Sequence, residues 1–342
     1  MSSEFDSYVA VDWSANNKPK NGPDSVWWCE IRADGKRQGP HNPSTRANAI
    51  RQIRAALIES VNAGLHALVG FDFPYGYPAN FAQALGLDRA GDGEPWIKTW
   101  KLIARLMQDD DHNRNNRFEV AAMLNQRVSS AAFPFWGCPK SGESTYLSAR
   151  SCWPRDGTVL REKRICEGQV RGPQAVWKLF TAGSVGSQAL TGIPRVLQLR
   201  HDIQLKSVSA VWPFETGLNP LPTRAQRPWK ILHAEIYPSI IPLRSFANMV
   251  KDAAQVCTLA TWFAELDREG ELDRLFSGPP TVPNQQRHTI ECEEGWILFC
   301  AGAAFVRAMQ LVSLRATSEM MTRCSFTKRR SKSKASAPVR SG

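Results

Sequence analysis

The stretch Tyr8–Ser14, YVAVDWS, decides how the rest of this 342-residue chain is read. Its first four residues are apolar or β-forming and unbroken, the pattern of a strand buried in the middle of a sheet. The run ends on a carboxylate, Asp12, followed by Trp13 and the polar, bending segment Ser14-Ala15-Asn16-Asn17-Lys18-Pro19. Open α/β sheets bind ligands beyond the carboxyl ends of their strands, so an acid delivered there is a candidate site residue. The plainer alternative is an aspartate that bonds its own turn.

A second stretch favours the functional reading. Ser25–Arg32, SVWWCEIR, reads as a strand, and Ala33-Asp34-Gly35-Lys36 supplies an Asp-Gly hairpin turn into a short return strand over Lys36–Pro40. Ser44 or Thr45 then caps a helix whose apolar positions Ile50, Ile53, Leu57 and Val61 keep helical spacing, with Gly64 as its stop. Leu65–Asp72, LHALVGFD, is another buried strand that ends on an acid. If it lies parallel to the first strand through a right-handed crossover, Asp12 and Asp72 emerge side by side. Converging carboxylates repel, and a divalent cation with oxygen ligands is the usual remedy. Phe73-Pro74-Tyr75-Gly76-Tyr77-Pro78 places an aromatic wall beside the second acid.

Charge and cysteines bound the class. The net charge of +11 resembles a nucleic-acid footprint, but Met320–Gly342 carries +7 of it on Arg323, Lys328, Arg329, Arg330, Lys332, Lys334 and Arg340 with no acid. That Ser-rich segment has no apolar pattern and reads as disordered. Cys29, Cys138, Cys152, Cys166, Cys257, Cys292, Cys300 and Cys324 show no Cys-x-x-Cys spacing, so no zinc site is expected. Free thiols and an N-terminus, MSSEFDS, unlike a signal peptide point to a reducing cytoplasm. The apolar run Trp296–Leu314 contains Arg307 and Gln310 and reads as a terminal helix, with no membrane expected.

The middle of the chain reads as helical. Glu94–Gln108 and Arg117–Val128 fit helices, with Asp109-Asp110-Asp111-His112 as a solvated loop between them rather than a metal site. Phe133–Pro139 suits a small core better than base stacking. The small-residue run from Thr181 to Gly192 misses the Gly-x-Gly-x-x-Gly spacing, so close helix packing is favoured over cofactor binding and a substrate-contacting loop stays open.

Trp229–Pro238, WKILHAEIYP, resumes the strand pattern and presents a third acid, Glu235. A helix then begins near Val250, with the apolar stripe Val256, Leu259, Ala260 and Phe263. Asp252 shares that stripe's side, one turn from the helix start, and so faces the sheet where it can join Asp12 and Asp72.

Together, YVAVDWS, VGFDFPYGYP, VWKLFTAGSVGSQALTGIPRVLQLR, HAEIYPS, KDAAQV and EEGW resemble an uncharacterised bacterial family of predicted ribonuclease-H-like nucleases, over residues 6–297. The resemblance implies an α/β fold, a ribonuclease-H-like mixed sheet of strand order 3-2-1-4-5. Its acids on strands 1 and 4 and on the last helix match Asp12, Asp72 and Asp252, with Glu235 as a fourth. The first part of that core spans 6–73, a large, mostly helical insertion between strands 4 and 5 spans 74–229, and 230–297 completes the core. A terminal helix over 298–319 and the basic disordered tail over 320–342 depart from the family.

The expected function is that of a metal-dependent nuclease. On this expectation Asp12 would bridge two Mg²⁺ or Mn²⁺ ions, with Asp72, Glu235 and Asp252 completing the ligands. Lys18 and Lys20 are candidates to hold nucleic-acid phosphates. One alternative is a phosphotransferase or ATPase on the related actin-like sheet. The turns Asp12-Trp13-Ser14 and Asp72-Phe73-Pro74 lack the glycines that let backbone approach phosphate, which counts against it. A non-catalytic nucleic-acid-binding module is the third reading.

Overall fold

From Ser7 to Val11 every residue is buried, because this first strand, β1 (Ser7–Asp12), lies inside a sheet covered on both faces. The structure, a computed structural model, describes residues 3–87, 93–154, 158–169, 172–181, 183–243, 249–298 and 300. The apolar run beyond residue 300 and the basic tail, expected as a terminal helix and a disordered segment, lie outside the described residues.

The sheet is mixed and six-stranded, in the order β3-β2-β1-β4-β6-β5. β2 (Trp27–Arg32) runs antiparallel to β1, and β3 (Arg37–His41) antiparallel to β2 at the edge. The Asp-Gly turn joins them, with Gly35 at φ +84° and the Arg32 N–H donating to the Lys36 carbonyl. Helix α1 (Arg46–Asn62) is capped by Thr45, whose hydroxyl accepts from the Asn48 N–H at 3.2 Å. It crosses over to β4 (Ala67–Phe71), which pairs parallel with β1, Val11 opposite Phe71. β6 (Ile231–Glu235) pairs parallel with β4, Phe71 opposite Glu235.

Between β4 and β6 the chain forms α2 (Phe81–Ala84), α3 (Pro95–Leu106), α4 (Arg117–Ser129), α5 (Ile165–Gln169) and α6 (Gly186–Arg200). It also contributes a strand that the sequence pattern did not announce. β5 (Ser209–Val211) adds parallel to the outer side of β6. Three residues are too few to display an alternation, and only pairing with β6 defines this strand.

Side-chain alternation divides the sheet into two faces. Val9, Val11, Val69, Phe71 and Ile231 face one way, into a core shared with Ile50, Ile53 and Leu57 of α1 and Leu190 and Ile193 of α6. Tyr8 faces the other way, and its hydroxyl donates to Asp267 at 2.5 Å, near the end of α7 (Lys251–Arg268). α7 packs across β1 and β2. Its stripe Val256, Leu259, Ala260 and Phe263 is wholly buried, as its helical spacing predicts. Two short helices, α8 (Asp273–Phe276) and α9 (Asn284–Thr289), follow.

Close packing accounts for the glycines within α6, whereas Thr181, Gly183 and Ser184 ahead of it line a cleft. A β-carbon on Gly192 would come within 2.3 Å of two ring carbons of Phe73, a residue 1% exposed just beyond β4. Gly192→Ala should therefore destabilise the protein by about 1–3 kcal/mol through overpacking. Its urea midpoint relative to wild type measures this, and an unchanged midpoint would mean that α6 is free to shift away from β4.

Candidate active site

Parallel pairing sets the site. Because Val11 stands opposite Phe71, the next residues, Asp12 and Asp72, leave their strands at the same level and on the same face. The Asp72 N–H donates to the Val11 carbonyl at 3.1 Å, extending the ladder one residue past β4. One Asp72 carboxyl oxygen accepts the Trp13 N–H at 2.6 Å, and the two aspartyl side chains lie within hydrogen-bonding reach of each other. Two carboxyls can share a bond only if one carries a proton or a cation replaces it. Burial pushes Asp12 up to about 7; its bond to Asp72 opposes the rise, and the charges of Asp252 and Asp24 add to it. Asp72 is raised well above the carboxylate range by burial and by Asp12, against the Trp13 N–H.

Asp252 is the second residue of α7, on the face this helix lays across β1 and β2. It stands close enough for its charge to act on Asp12, and its carboxylate accepts the Asp24 N–H at 2.7 Å. All three sequence-derived aspartates line one cleft of about 830 Å³.

The loop that follows β1 is held from several sides. Arg46 is fully buried and donates to the Ser14 carbonyl at 3.0 Å and the Asn16 carbonyl at 2.7 Å, while its other nitrogens engage Asp109. Arg195 of α6 also pairs with Asp109, at 2.9 Å. Asp109 was expected in a solvated loop; it is instead a buried acid clamped by two arginines. On the α6 side, Gln188 donates to the Trp13 carbonyl at 2.6 Å and the Trp13 indole N–H reaches the Thr191 hydroxyl at 3.3 Å. Trp13 is 1% exposed, so it fills the turn where a phosphate-approaching fold would place glycine.

Glu235 does not join the aspartates. It is level with Phe71 rather than with Asp72, and this one-residue offset turns its side chain to the opposite face of the sheet. There Arg164 donates to both its carboxylate oxygens, at 2.7 and 2.6 Å, and the Tyr75 N–H donates at 2.9 Å. A carboxylate engaged in this way is an ion-pair partner, so the fourth ligand drawn from the sequence is set aside. Lys18 and Lys20 do not line the cleft either; Lys18 is exposed, and Lys20 lies 3.6 Å from Asp24.

The cleft contains charged groups that sequence reading missed. Asp24 comes from the loop between β1 and β2, Lys251 opens α7, and Arg117 opens α4. Lys251 had a local signal, since it precedes Asp252 at the helix start. Arg117 had none, because only the tertiary fold carries α4 to the end of β1.

Among the described residues, no three of His, Cys, Asp and Glu stand close enough to form a ready-made metal cage. Mg²⁺ does not require one, since it is commonly held by one or two carboxylates, with water and substrate phosphate supplying the rest. Asp12 and Asp72 are oxygen donors already in contact, and Asp252 stands beside them, so this set fits a hard divalent ion. Comparison of the chain with protein-family models, curated proteins and solved structures found no match. No described helix is long and apolar enough to cross a membrane.

Proposed function

We propose that this protein is a metal-dependent nuclease that hydrolyses phosphodiester bonds on a ribonuclease-H-like sheet. The observation that carries the reading is the adjacent pair Asp12–Asp72 at neighbouring parallel strand ends, on a cleft of about 830 Å³. A strand order with β1 between β2 and β4, and with β6 beyond β4, supports the fold half of the proposal.

Asp12 and Asp72 would hold Mg²⁺ or Mn²⁺, with Asp252 beside them; a bound ion lowers the pKa of water and stabilises charge on a phosphoryl group. The chain's own contribution is positioning. The Trp13 N–H orients Asp72, α6 holds Trp13 in place, and Arg46 fixes the loop behind it. Lys251, exposed beside Asp252, puts a cation at the mouth of the cleft.

The test is cleavage of single-stranded and duplex DNA and RNA in Mn²⁺. Cleavage is expected to fall to background on chelation and in both Asp12→Asn and Asp72→Asn. Hydrolysis that survives chelation or survives both substitutions would overturn the proposal.

A further inference from the structure

One wall of the cleft is built by the starts of α4 and α6 and by the segment ahead of α6, not by the strands. At its base lies Arg117, only 8% exposed. Its guanidinium donates to the Ser187 hydroxyl at 3.0 Å and to the side-chain oxygens of Asn115, at 2.9 Å, and of Asn17. All three acceptors are neutral, and no carboxylate among the described residues pairs with it. The other arginines buried to this degree, Arg46, Arg164 and Arg227, each have an acidic partner. Burial and the nearby charge of Arg46 pull Arg117 down to about 10, against the charge of Asp109, a carboxylate already paired with Arg46 and Arg195, so Arg117 still carries its charge at neutral pH. A buried cation with no ion pair of its own is costly in the folded state, and an anion arriving in the cleft relieves that cost.

Aromatic rings adjoin it. The Arg117 guanidinium lies over the Phe118 ring, 4.3 Å from its centre. Phe118 meets Phe180 edge-on, with ring centres 6.2 Å apart at 76°. Both rings line the cleft, and Phe180 is 41% exposed, one of few large apolar side chains in the described protein left so open. The first turn of α6, which begins beside Ser187, has no side-chain cap and adds the positive end of a helix dipole to the same wall.

We infer that this wall is a nucleotide-holding subsite, in which Phe180, braced by Phe118, stacks an unpaired base while Arg117 takes the adjoining phosphate. The inference rests on the nucleic-acid reading of the cleft and narrows it to single-stranded chains. A base pair inside a duplex has both faces covered by its neighbours, whereas an unpaired base offers a face to an open ring. With Nε and Nη1 of Arg117 engaged by Ser187, Asn17 and Asn115, Nη2 is left to meet a phosphate oxygen, held in the guanidinium plane at an angle that a lysine ammonium cannot reproduce. Arg117 and Phe180 are positioning residues on this account, and the aspartates remain the reacting site.

Binding can be read without cleavage by the fluorescence anisotropy of a labelled oligothymidylate about ten nucleotides long, with the full chain in EDTA. The single strand should bind more tightly than a duplex of equal length. Phe180→Ala, at an exposed position that leaves the fold intact, should weaken single-strand binding about tenfold and duplex binding little. Arg117→Lys should also weaken it while keeping the charge, and its melting temperature separates this from misfolding. The basic tail is common to every variant and cancels in the ratios. Unchanged single-strand affinity in Phe180→Ala, a preference for duplex, or no binding at all would overturn the inference. Binding that depends on Phe180 but is never followed by cleavage in Mn²⁺ would sustain the subsite and remove the hydrolytic reading. Cleavage indifferent to Phe180→Ala would do the reverse.

Discussion

In metal-free buffer the melting temperature of the wild-type protein should fall by several degrees between about pH 5 and about pH 8, and Mn²⁺ should restore it at the alkaline end. The cause is the aspartyl pair. Burial raises Asp12 from 3.8 to about 7, and it raises Asp72 as well. A carboxyl whose folded pKa lies above its unfolded value binds more protons folded than unfolded throughout the interval between them. Stability then declines as pH rises, being fully present below 3.8 and lost as pH passes through about 7. This is the reverse of the behaviour of a salt-bridged aspartate. The shift of Asp12 corresponds to on the order of 4 kcal/mol, an upper figure because the two groups share one proton. On the proposed reading Mn²⁺ would bind the deprotonated pair, so its stabilising effect should be large near pH 8 and small near pH 5. Asp12→Asn should flatten the pH dependence and abolish the metal response together, while raising metal-free stability at pH 8. A wild-type melting temperature indifferent to both pH and Mn²⁺ would leave no strained acid pair and no reason to place a cation there.

How far the site could be read from sequence follows from which contacts are local in pattern. YVAVD and ALVGFD announce themselves because a strand covered on both faces must be apolar throughout, and each ends on its acid. Parallel pairing of these two strands is close to forced by the hairpin and helix between them, so Asp12 and Asp72 could be placed together before any coordinates. Asp252 was recoverable from the stripe of α7, since an acid four residues ahead of Val256 must share its side. What failed depended on register and on long separations. Glu235 ends its strand as Asp72 follows its own, but the offset of one residue puts it on the other face, and composition does not encode that offset. Its partner Arg164 lies 71 residues earlier. Arg117, the cleft's buried cation, is brought to Asn17 across 100 residues. β5 escaped because its strand character comes from β6 and not from its own three residues.

Glu235 marks the second large effect, one of stability instead of chemistry. Arg164 is 1% exposed and lies between two acids, donating to Glu235 through both terminal nitrogens and to Glu167 through Nε at 2.8 Å. It also donates to the Glu294 carbonyl at 3.0 Å, so one guanidinium ties β6 to α5 and to the segment after α9. Arg164→Met would strand two buried carboxylates facing each other, and the expected loss is about 3–5 kcal/mol, read as a shifted denaturant midpoint. Glu235→Gln should cost less, because Arg164 keeps Glu167 as its counter-ion. The double variant Arg164→Met/Glu235→Leu should recover part of what Arg164→Met loses, since removing both charges also removes the penalty of burying them. None of the three should alter the Mn²⁺ response assigned to Asp12 and Asp72, because Glu235 occupies the opposite face of the sheet, whereas the carboxylates stranded by Arg164→Met should add a fall in stability with rising pH of their own. Loss of the Mn²⁺ response in Glu235→Gln at unchanged stability would make Glu235 a ligand after all, and the partition of acids between the two faces would then be wrong.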